Sequence, residues 1–318
     1  MRVWPGRLIA IFALFFLWSG ALRAEPFAGT YAPSATNIAP GVWLVRGADE
    51  PIRFSNGGAI ANSVILDSAQ GAILVDCGPS LAYGRALGAL ARKVTGKAVA
   101  RVFVTHLHPD HMMGCGAFDR RIVAALPETI HGIEENGSGY SDAMFRILAG
   151  WMKGTEVEVP GIVLSPGDVS FGGRRITAWR FSGHSRSDLV LLDEETGTLI
   201  AGDMVFHDRA PATPDADLSL WERNLDALAK IPHKRIVPGH GPLDTGEEGV
   251  DQTRAWLVWL DGSLHKAVAD GLDMTEAGQI PIPASLSAMA FGRYELQRSV
   301  SHFYPRLEDQ RFPRIGGG

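Results

Sequence analysis

VFVTHLHPDH, residues 102–111, is the stretch that decides the predicted fold of this 318-residue chain. It places three imidazoles and a carboxylate within six positions, directly after an apolar run. Zinc and similar metals favour imidazole nitrogen and carboxylate oxygen as ligands. Because alternate residues of a strand share a face, a strand ending with the apolar run would present His106 and His108 together, while Asp110 and His111 follow around a turn. The stretch therefore predicts metal ligands at a strand end, rather than a polar loop whose imidazoles cap or solvate a helix start.

Three further candidate ligands each end a short apolar segment beside a glycine. They are His184 in FSGHS, Asp203 after TLIAG, and His240 in VPGHG. Glycine lets the backbone approach a buried ion closely, and loops at strand ends commonly carry functional residues. Although a single histidine beside glycine is usually an ordinary loop residue, these three extend the first cluster to an ordered set of seven candidate ligands.

The ordered set resembles the signature of the metallo-β-lactamase-fold hydrolases, in which His-x-His-x-Asp-His is followed by Gly-His, Gly-Asp and Gly-His. The resemblance runs from about residue 41 to about residue 241. It implies an α/β fold in which two mixed β-sheets lie between helices as a four-layer αββα sandwich. It also implies two zinc ions as cofactors, one held by His106, His108 and His184. The second would be held by Asp110, His111 and His240, with Asp203 bridging the two.

A two-zinc site implies hydrolysis of a small ester, thioester or lactone. Two ions lower the pKa of a shared water to roughly 7, so that hydroxide forms at neutral pH and attacks a carbonyl that one ion polarises. Asp110 would then be a catalytic residue as well as a ligand, because it orients that hydroxide. Phosphodiester cleavage is open to the same ions, but a net charge of −5 without a basic run predicts no nucleic-acid partner.

Individual positions separate the members of this fold. The best-known di-zinc β-lactamases resemble this chain except for Cys where Asp203 stands, and another subclass has Ser there. Asp203 thus argues against a dedicated β-lactamase. Flavodiiron relatives place Glu at the position of His108, which disfavours a di-iron site. The persulfide dioxygenases keep a similar motif with one iron, and such a mononuclear iron enzyme stays an alternative.

Two further stretches, residues 202–211 and 297–308, look like the quinoprotein relay system zinc metallohydrolases. These are exported proteins associated with pyrroloquinoline-quinone-dependent dehydrogenases and their cytochromes. The resemblance implies a quinoprotein dehydrogenase or cytochrome as a partner, beside a small-molecule substrate with a hydrolysable carbonyl. A non-catalytic zinc-binding accessory protein is the second function class. The seven candidate ligands favour catalysis, because a structural zinc closes with four.

Two side chains just past Asp203 are candidate substrate-binding residues. Arg209 could bind an anionic substrate group bidentately, and His207 could shuttle a proton. The alternative is that both belong to a salt-linked loop that supports Asp203.

The N-terminus predicts a secretory signal peptide over residues 1–24. Arg2 and Arg7 precede the apolar stretch Leu8 to Trp18, and small residues end at Ala24. Because that stretch is too short to cross about 30 Å of hydrocarbon, we expect cleavage and a periplasmic mature chain with no permanent membrane anchor, although a retained anchor stays the alternative. In an oxidising compartment Cys77 and Cys115 are a candidate disulfide, with two unrelated buried residues as the other interpretation.

The resemblance implies that the mature chain consists of a metallo-β-lactamase-fold domain, residues 25–250, and a helical extension packed on it, residues 251–318. Strands are predicted over residues 42–45, 63–66, 72–75 and 100–105, with a helix capped by Ser80 between the last two. An apparent insertion over residues 128–154 is interpreted either as an amphipathic helix packed on the domain or as a lid or substrate wall beside the metals. Helices are also predicted over residues 252–272 and 295–304.

Overall fold

The computed structural model describes Phe27 and residues 29–312, so the predicted signal peptide lies outside the described residues. The strands are β1 (Thr36–Ala39), β2 (Val42–Val45), β3 (Ser63–Leu66), β4 (Ala72–Val75), β5 (Val99–Phe103), β6 (Val123–Ala125), β7 (Ile162–Val163), β8 (Gly167–Asp168), β9 (Ile176–Phe181), β10 (Asp188–Asp193), β11 (Thr198–Phe206) and β12 (Arg235–His240). The helices are α1 (Leu81–Thr95), α2 (Pro109–Met112), α3 (Pro127–Leu148), α4 (Leu218–Leu228), α5 (Glu248–Ala269), α6 (Met274–Ala277) and α7 (Gly292–Arg311). Within this part of the chain, no helix has both the length and the apolar character needed to cross a bilayer.

The strands form two mixed sheets. The first has the order β1-β2-β3-β4-β5-β6-β7, antiparallel up to β4 and parallel from β4 to β7. The second has the order β12-β11-β10-β9-β8, in which only the β11–β12 pair is parallel. Most strands are buried on both faces, which explains why they read as continuous apolar runs rather than as alternating patterns.

Three apolar cores give the molecule four layers. One core lies between the sheets and joins side chains such as Leu66 and Phe103 to Leu191 and Ile200. A second covers the outer face of the first sheet with α1 and α3, and a third covers the outer face of the second sheet with α4, α5 and α7. The predicted αββα sandwich is confirmed.

The C-terminal helices share the third core with the second sheet. Trp256 of α5 and Tyr304 of α7 are fully buried in the same cluster as Phe206 of β11. The predicted boundary after residue 250 falls inside α5, which begins at Glu248. The helical extension is therefore packed continuously onto the sandwich.

Local details follow the sequence pattern with small shifts. Ser80 caps α1 by accepting a hydrogen bond from the backbone of Tyr83. Strand β5 ends at Phe103, two residues before the predicted end, because the backbone N–H of Thr105 donates to the Asp76 carboxylate instead of continuing the ladder. Cys77 and Cys115 form a disulfide with Cα atoms 5.3 Å apart, which ties the loop after β4 to the short helical turn after α2.

Candidate metal centre

The structure brings all seven candidate ligands together at one end of the two sheets. The first group is His106, His108, His184 and Asp203, and the second is Asp110, His111 and His240, with the ligand atoms of each group within 4.8 Å of one another. All seven residues are buried. Because β5, β11 and β12 each deliver a ligand at or just beyond their C-terminal halves, the fold itself gathers side chains that are up to 134 positions apart in sequence.

The first group is built so that nitrogen lone pairs converge. His106 Nε2 lies 3.0 Å from His108 Nδ1, which lies 2.9 Å from His184 Nε2. His108 Nε2 is hydrogen-bonded to Asp215 at 2.9 Å, and a carboxylate only accepts, so Nδ1 of this ring carries a lone pair. Ligand atoms about 2.0–2.1 Å from a tetrahedral zinc ion lie about 3.3 Å apart, which is close to the spacing found here. The donor set fits a bound cation.

Asp76 fixes the rings of two further ligands from behind. Its Oδ2 accepts from His111 Nδ1 at 2.7 Å and from the Thr105 hydroxyl at 2.9 Å. Since that hydroxyl donates its proton to Asp76, its oxygen accepts a hydrogen bond from His106 Nδ1 at 2.9 Å. In their neutral form both imidazoles therefore carry the lone pair on Nε2, which is directed at the ligand groups, as metal-binding histidines require.

Asp203 joins the two groups. Its Oδ2 lies 3.2 Å from His184 Nε2 and 3.4 Å from His240 Nε2, while Oδ1 lies 3.1 Å from His111 Nε2. Oδ1 is buried and has no hydrogen-bond partner among the described residues. A buried carboxylate oxygen without a partner is costly unless a cation satisfies it, so Asp203 fits a bridging ligand.

The backbone around Asp203 depends on glycine. A Cβ on Gly239 would lie 1.9 Å from Asp203 Oδ1, so only glycine allows β12 to pass this close. On the other side, Gly202 has a φ of 52° and a pairing irregularity in β11 surrounds Asp203. Such a bulge redirects a side chain out of the regular ladder, which is how β11 presents its carboxylate to the site.

The buried ligand side chains change one another's pKa values. Burial and the neighbouring His111 hold the pKa of His106 well below its usual value. Burial opposes protonation of His111 as well, but the carboxylates of Asp203, Asp76 and Asp110 raise its pKa well above the usual value. Burial raises the pKa of Asp203, and the surrounding imidazoles outweigh that effect and lower it. The carboxylates around His111 therefore favour positive charge on this side of the centre, which a bound metal ion would supply.

A cavity of about 230 Å³ opens over the ligands. Its floor includes His108, Asp110, Asp203 and His240. Its walls are largely apolar and come from the loop before β3, from α3 and from the loop after β11; they include Ile52, Ile60, Ala143, Met144, Ile147, Ala212 and Pro214. Helix α3 therefore packs on the domain, where Ile133 and Leu148 are buried in the core, and it also forms one wall of the cavity. Both interpretations of residues 128–154 describe part of its role.

The comparisons with known proteins agree with this geometry. The family model described as the metallo-beta-lactamase superfamily matches residues 56–240, more than half of the chain. The chain belongs to the metallo-β-lactamase superfamily. The metallo-β-lactamase from Pontibacter korlensis has a similar solved structure, with a TM-score of 0.59 at 21% identity, covering 71% of this chain and 99% of that one. The predicted fold is confirmed.

Curated superfamily relatives are metallohydrolases. Human acyl-coenzyme A thioesterase MBLAC2 is 26% identical over 218 residues, which cover 59% of this chain and 75% of the relative. The type 2 metallo-β-lactamase of Bacillus sp. (strain 170) is 22% identical over 224 residues, covering 68% of this chain and 79% of the relative. The predicted enzyme class, a metal-dependent hydrolase of this superfamily, is confirmed.

The two candidate substrate-binding residues occupy different places. Arg209 is buried and lines the cavity, with Nη1 3.2 Å from His240 Nδ1 and 3.3 Å from the carbonyl oxygen of Glu50. His207 does not line this cavity among the described residues, and its Nδ1 donates to the carbonyl of Pro242 at 3.1 Å. Arg209 is therefore the member of the pair that borders the metal centre of this superfamily protein.

Three supporting residues were missed in the sequence. Asp76 is an acid that directly follows the buried apolar strand β4, and this is the same signal that identified Asp203. Asp215 sits in a proline-containing loop without such a signal, yet it accepts hydrogen bonds from His108 and from Tyr140 of α3, the latter at 2.7 Å. Asn62 donates to the carbonyls of Pro238 and Gly241 on either side of His240, both at 2.9 Å.

Proposed function

We propose that this chain is an exported di-zinc hydrolase that cleaves a small thioester, ester or lactone, with thioesters as the best-fitting class. The observation that carries the proposal is that two ligand groups, joined by Asp203, form the floor of a small cavity with apolar walls. A floor of ligands that is open to a cavity leaves room for a substrate, whereas a structural metal site is closed.

Zinc ions bound here would lower the pKa of a bound water to roughly 7 and polarise the substrate carbonyl. The chain's own residues would orient the attacking water and hold the substrate. Asp110 lines the cavity beside His240, with Oδ2 3.4 Å from His240 Nε2, and its carboxylate would accept a hydrogen bond from the attacking water and orient it. The apolar walls exclude competing water and hold the acyl chain.

The preference for thioesters follows from the leaving group, because Tyr140 in the cavity wall is not free to protonate it. Burial raises the pKa of Tyr140, and its hydrogen bond to Asp215 raises it further, so the phenol stays protonated and is already engaged as a donor. A thiol has a pKa near 8.5, so a thiolate leaves without being protonated first, unlike an amine. The thioesterase activity named for the human relative supports the same class.

Export and partnership belong to the proposal as well. The charged and apolar N-terminal residues support a cleaved signal peptide and a periplasmic location, and a disulfide between Cys77 and Cys115 suits an oxidising compartment. The similarity of residues 202–211 and 297–308 supports an association with a quinoprotein dehydrogenase or its cytochrome.

The test is turnover by the zinc-loaded mature chain against a panel of acyl thioesters, aryl esters, lactones and a β-lactam. We expect thioester hydrolysis at two zinc ions per chain, reduced about 100-fold or more in Asp110→Asn and unchanged in the exposed control Asp226→Asn. Two bound zinc ions with no turnover across the panel would contradict catalysis and favour the accessory role. Retention of a single iron with oxygen uptake on a persulfide would favour the dioxygenase instead.

A further inference from the structure

A row of polar and charged side chains leads from the metal centre to the rim of the cavity. It runs from His240 through Arg209 and Glu295 to Arg298, and all four line the same cavity. Glu295 and Arg298 belong to α7, which lies outside the segment matched by the family model. The outer half of the row therefore comes from the C-terminal extension of this chain.

Arg209 is the inner member of the row, and its Nη atoms face protein groups, whereas its buried Nε has no hydrogen-bond partner among the described residues. Only 3% of Arg209 is exposed, and Nη2 lies 3.8 Å from Glu295 Oε1. His240 Nδ1 donates to the carbonyl of Ile60 at 2.9 Å, so the nearby guanidinium adds positive charge beside this ring rather than a hydrogen bond. Arg209 therefore faces Glu295 on one side and adds positive charge beside His240 on the other.

Glu295 links the two guanidinium groups. It is fully buried, and its Oε2 accepts from Arg298 Nη1 at 3.1 Å, whereas Oε1 has no hydrogen-bond partner among the described residues. Burial raises the pKa of Glu295, and the two arginines oppose that shift. Two guanidinium groups around one carboxyl group leave a net positive charge at the cavity wall.

Arg298 is the outer member and the one that a ligand can reach. Its side chain is 38% exposed, and its guanidinium lies 5.6 Å from the centre of the Tyr294 ring, which also lines the cavity. The hydrogen bond to Glu295 uses Nη1, which leaves other N–H groups of the planar fork for a bidentate acceptor.

We propose that Arg298 binds a carboxylate of the substrate at the cavity rim while the reacting carbonyl lies over the metal centre, an inference that rests on the hydrolase function proposed above. The substrate class becomes a short acyl or thiol compound that carries a carboxylate. A single net positive charge with Glu295 alongside matches a monoanion better than a dianionic phosphate.

Binding of matched thiols tests the proposal without relying on turnover. Zinc-loaded protein is titrated by calorimetry with 4-sulfanylbutanoate and with its neutral amide, which share the thiol that anchors on zinc. We expect the carboxylate to bind about tenfold or more tightly than the amide, because charge-assisted hydrogen bonds to arginine are strong. Arg298→Gln should bring the ratio close to one, and Arg298→Lys should restore part of it.

Arg306→Gln is the matched control, since Arg306 lies on the same helix and packs over Phe303 away from this cavity. It should leave the ratio at its wild-type value, with zinc content equal in all variants. A ratio near one in the wild type, a ratio that Arg298→Gln leaves intact, or tighter binding of 3-sulfanylpropyl phosphate would overturn the proposal. Failure of the hydrolase function would appear separately, as absent thioester turnover by protein that still discriminates the two thiols.

Discussion

Replacing Asp76 by asparagine should weaken metal binding although Asp76 is not one of the seven candidate ligands. Asp76 has a φ of 63°, a conformation that asparagine also tolerates, so the substitution keeps both shape and backbone. What changes is one acceptor oxygen. Oδ1 accepts from the backbone of Thr105 at 2.8 Å, and Oδ2 accepts from the Thr105 hydroxyl and from His111 Nδ1.

The asparagine amide cannot satisfy these donors at once. If its oxygen faces the backbone N–H of Thr105, its NH₂ group faces His111 Nδ1, and the ring must move its proton to Nε2, the ligand atom. If the amide turns, two N–H groups confront each other at Thr105. Losing such a partner typically reduces metal affinity about 10- to 100-fold, which corresponds to about 1.4–2.7 kcal/mol.

The measurement is stepwise zinc affinity by competition with a chromophoric chelator. We expect the affinity loss mainly at the group that contains His111, with circular dichroism unchanged. Asp67→Asn is the control, because Asp67 also follows a strand but pairs with Lys97 at 2.7 Å in a half-exposed position. If Asp76→Asn binds zinc as tightly as the wild type at each of the two groups, the proposed role of Asp76 is refuted.

Two further predictions concern the scaffold around the ligands. Replacing Cys77 and Cys115 by alanine opens a loop of 38 residues, and the chain-entropy model predicts a loss of about 4 kcal/mol in the free energy of unfolding by urea, so an unchanged midpoint would argue against the bridge. Gly239→Ala should displace Asp203 and leave fewer than two zinc ions per chain by elemental analysis, whereas Gly262→Ala, where a Cβ meets nothing within 4 Å, should retain both.

The sequence was sufficient for the fold and for the grouping of ligands. His106 to His111 follow a buried strand, and Asp203 and His240 end apolar segments beside glycine, so strand order alone carries these residues to one end of the sandwich. The layered architecture followed from a motif set that is specific to the fold. That specificity does not extend to the substrate, because one site on this fold serves many chemistries.

The remaining parts of the site depend on contacts that local sequence does not encode. Asp215 reaches His108 across 107 positions, and Glu295 reaches Arg209 across 86 positions, from a helix whose pattern indicated only packing. His207 illustrates the opposite case. Its place beside Asp203 suggested a role in the cavity, but β11 and the following loop direct its ring to the carbonyl of Pro242.

Two zinc ions bridged by Asp203 would be seen directly in a crystal structure of the zinc-loaded chain with anomalous scattering measured at the zinc edge. We expect two peaks about 3.5–4 Å apart, one beside His106, His108 and His184 and the other beside the second ligand group, with Asp203 between them. A single fully occupied peak, or two peaks that share no contact with Asp203, would contradict this expectation.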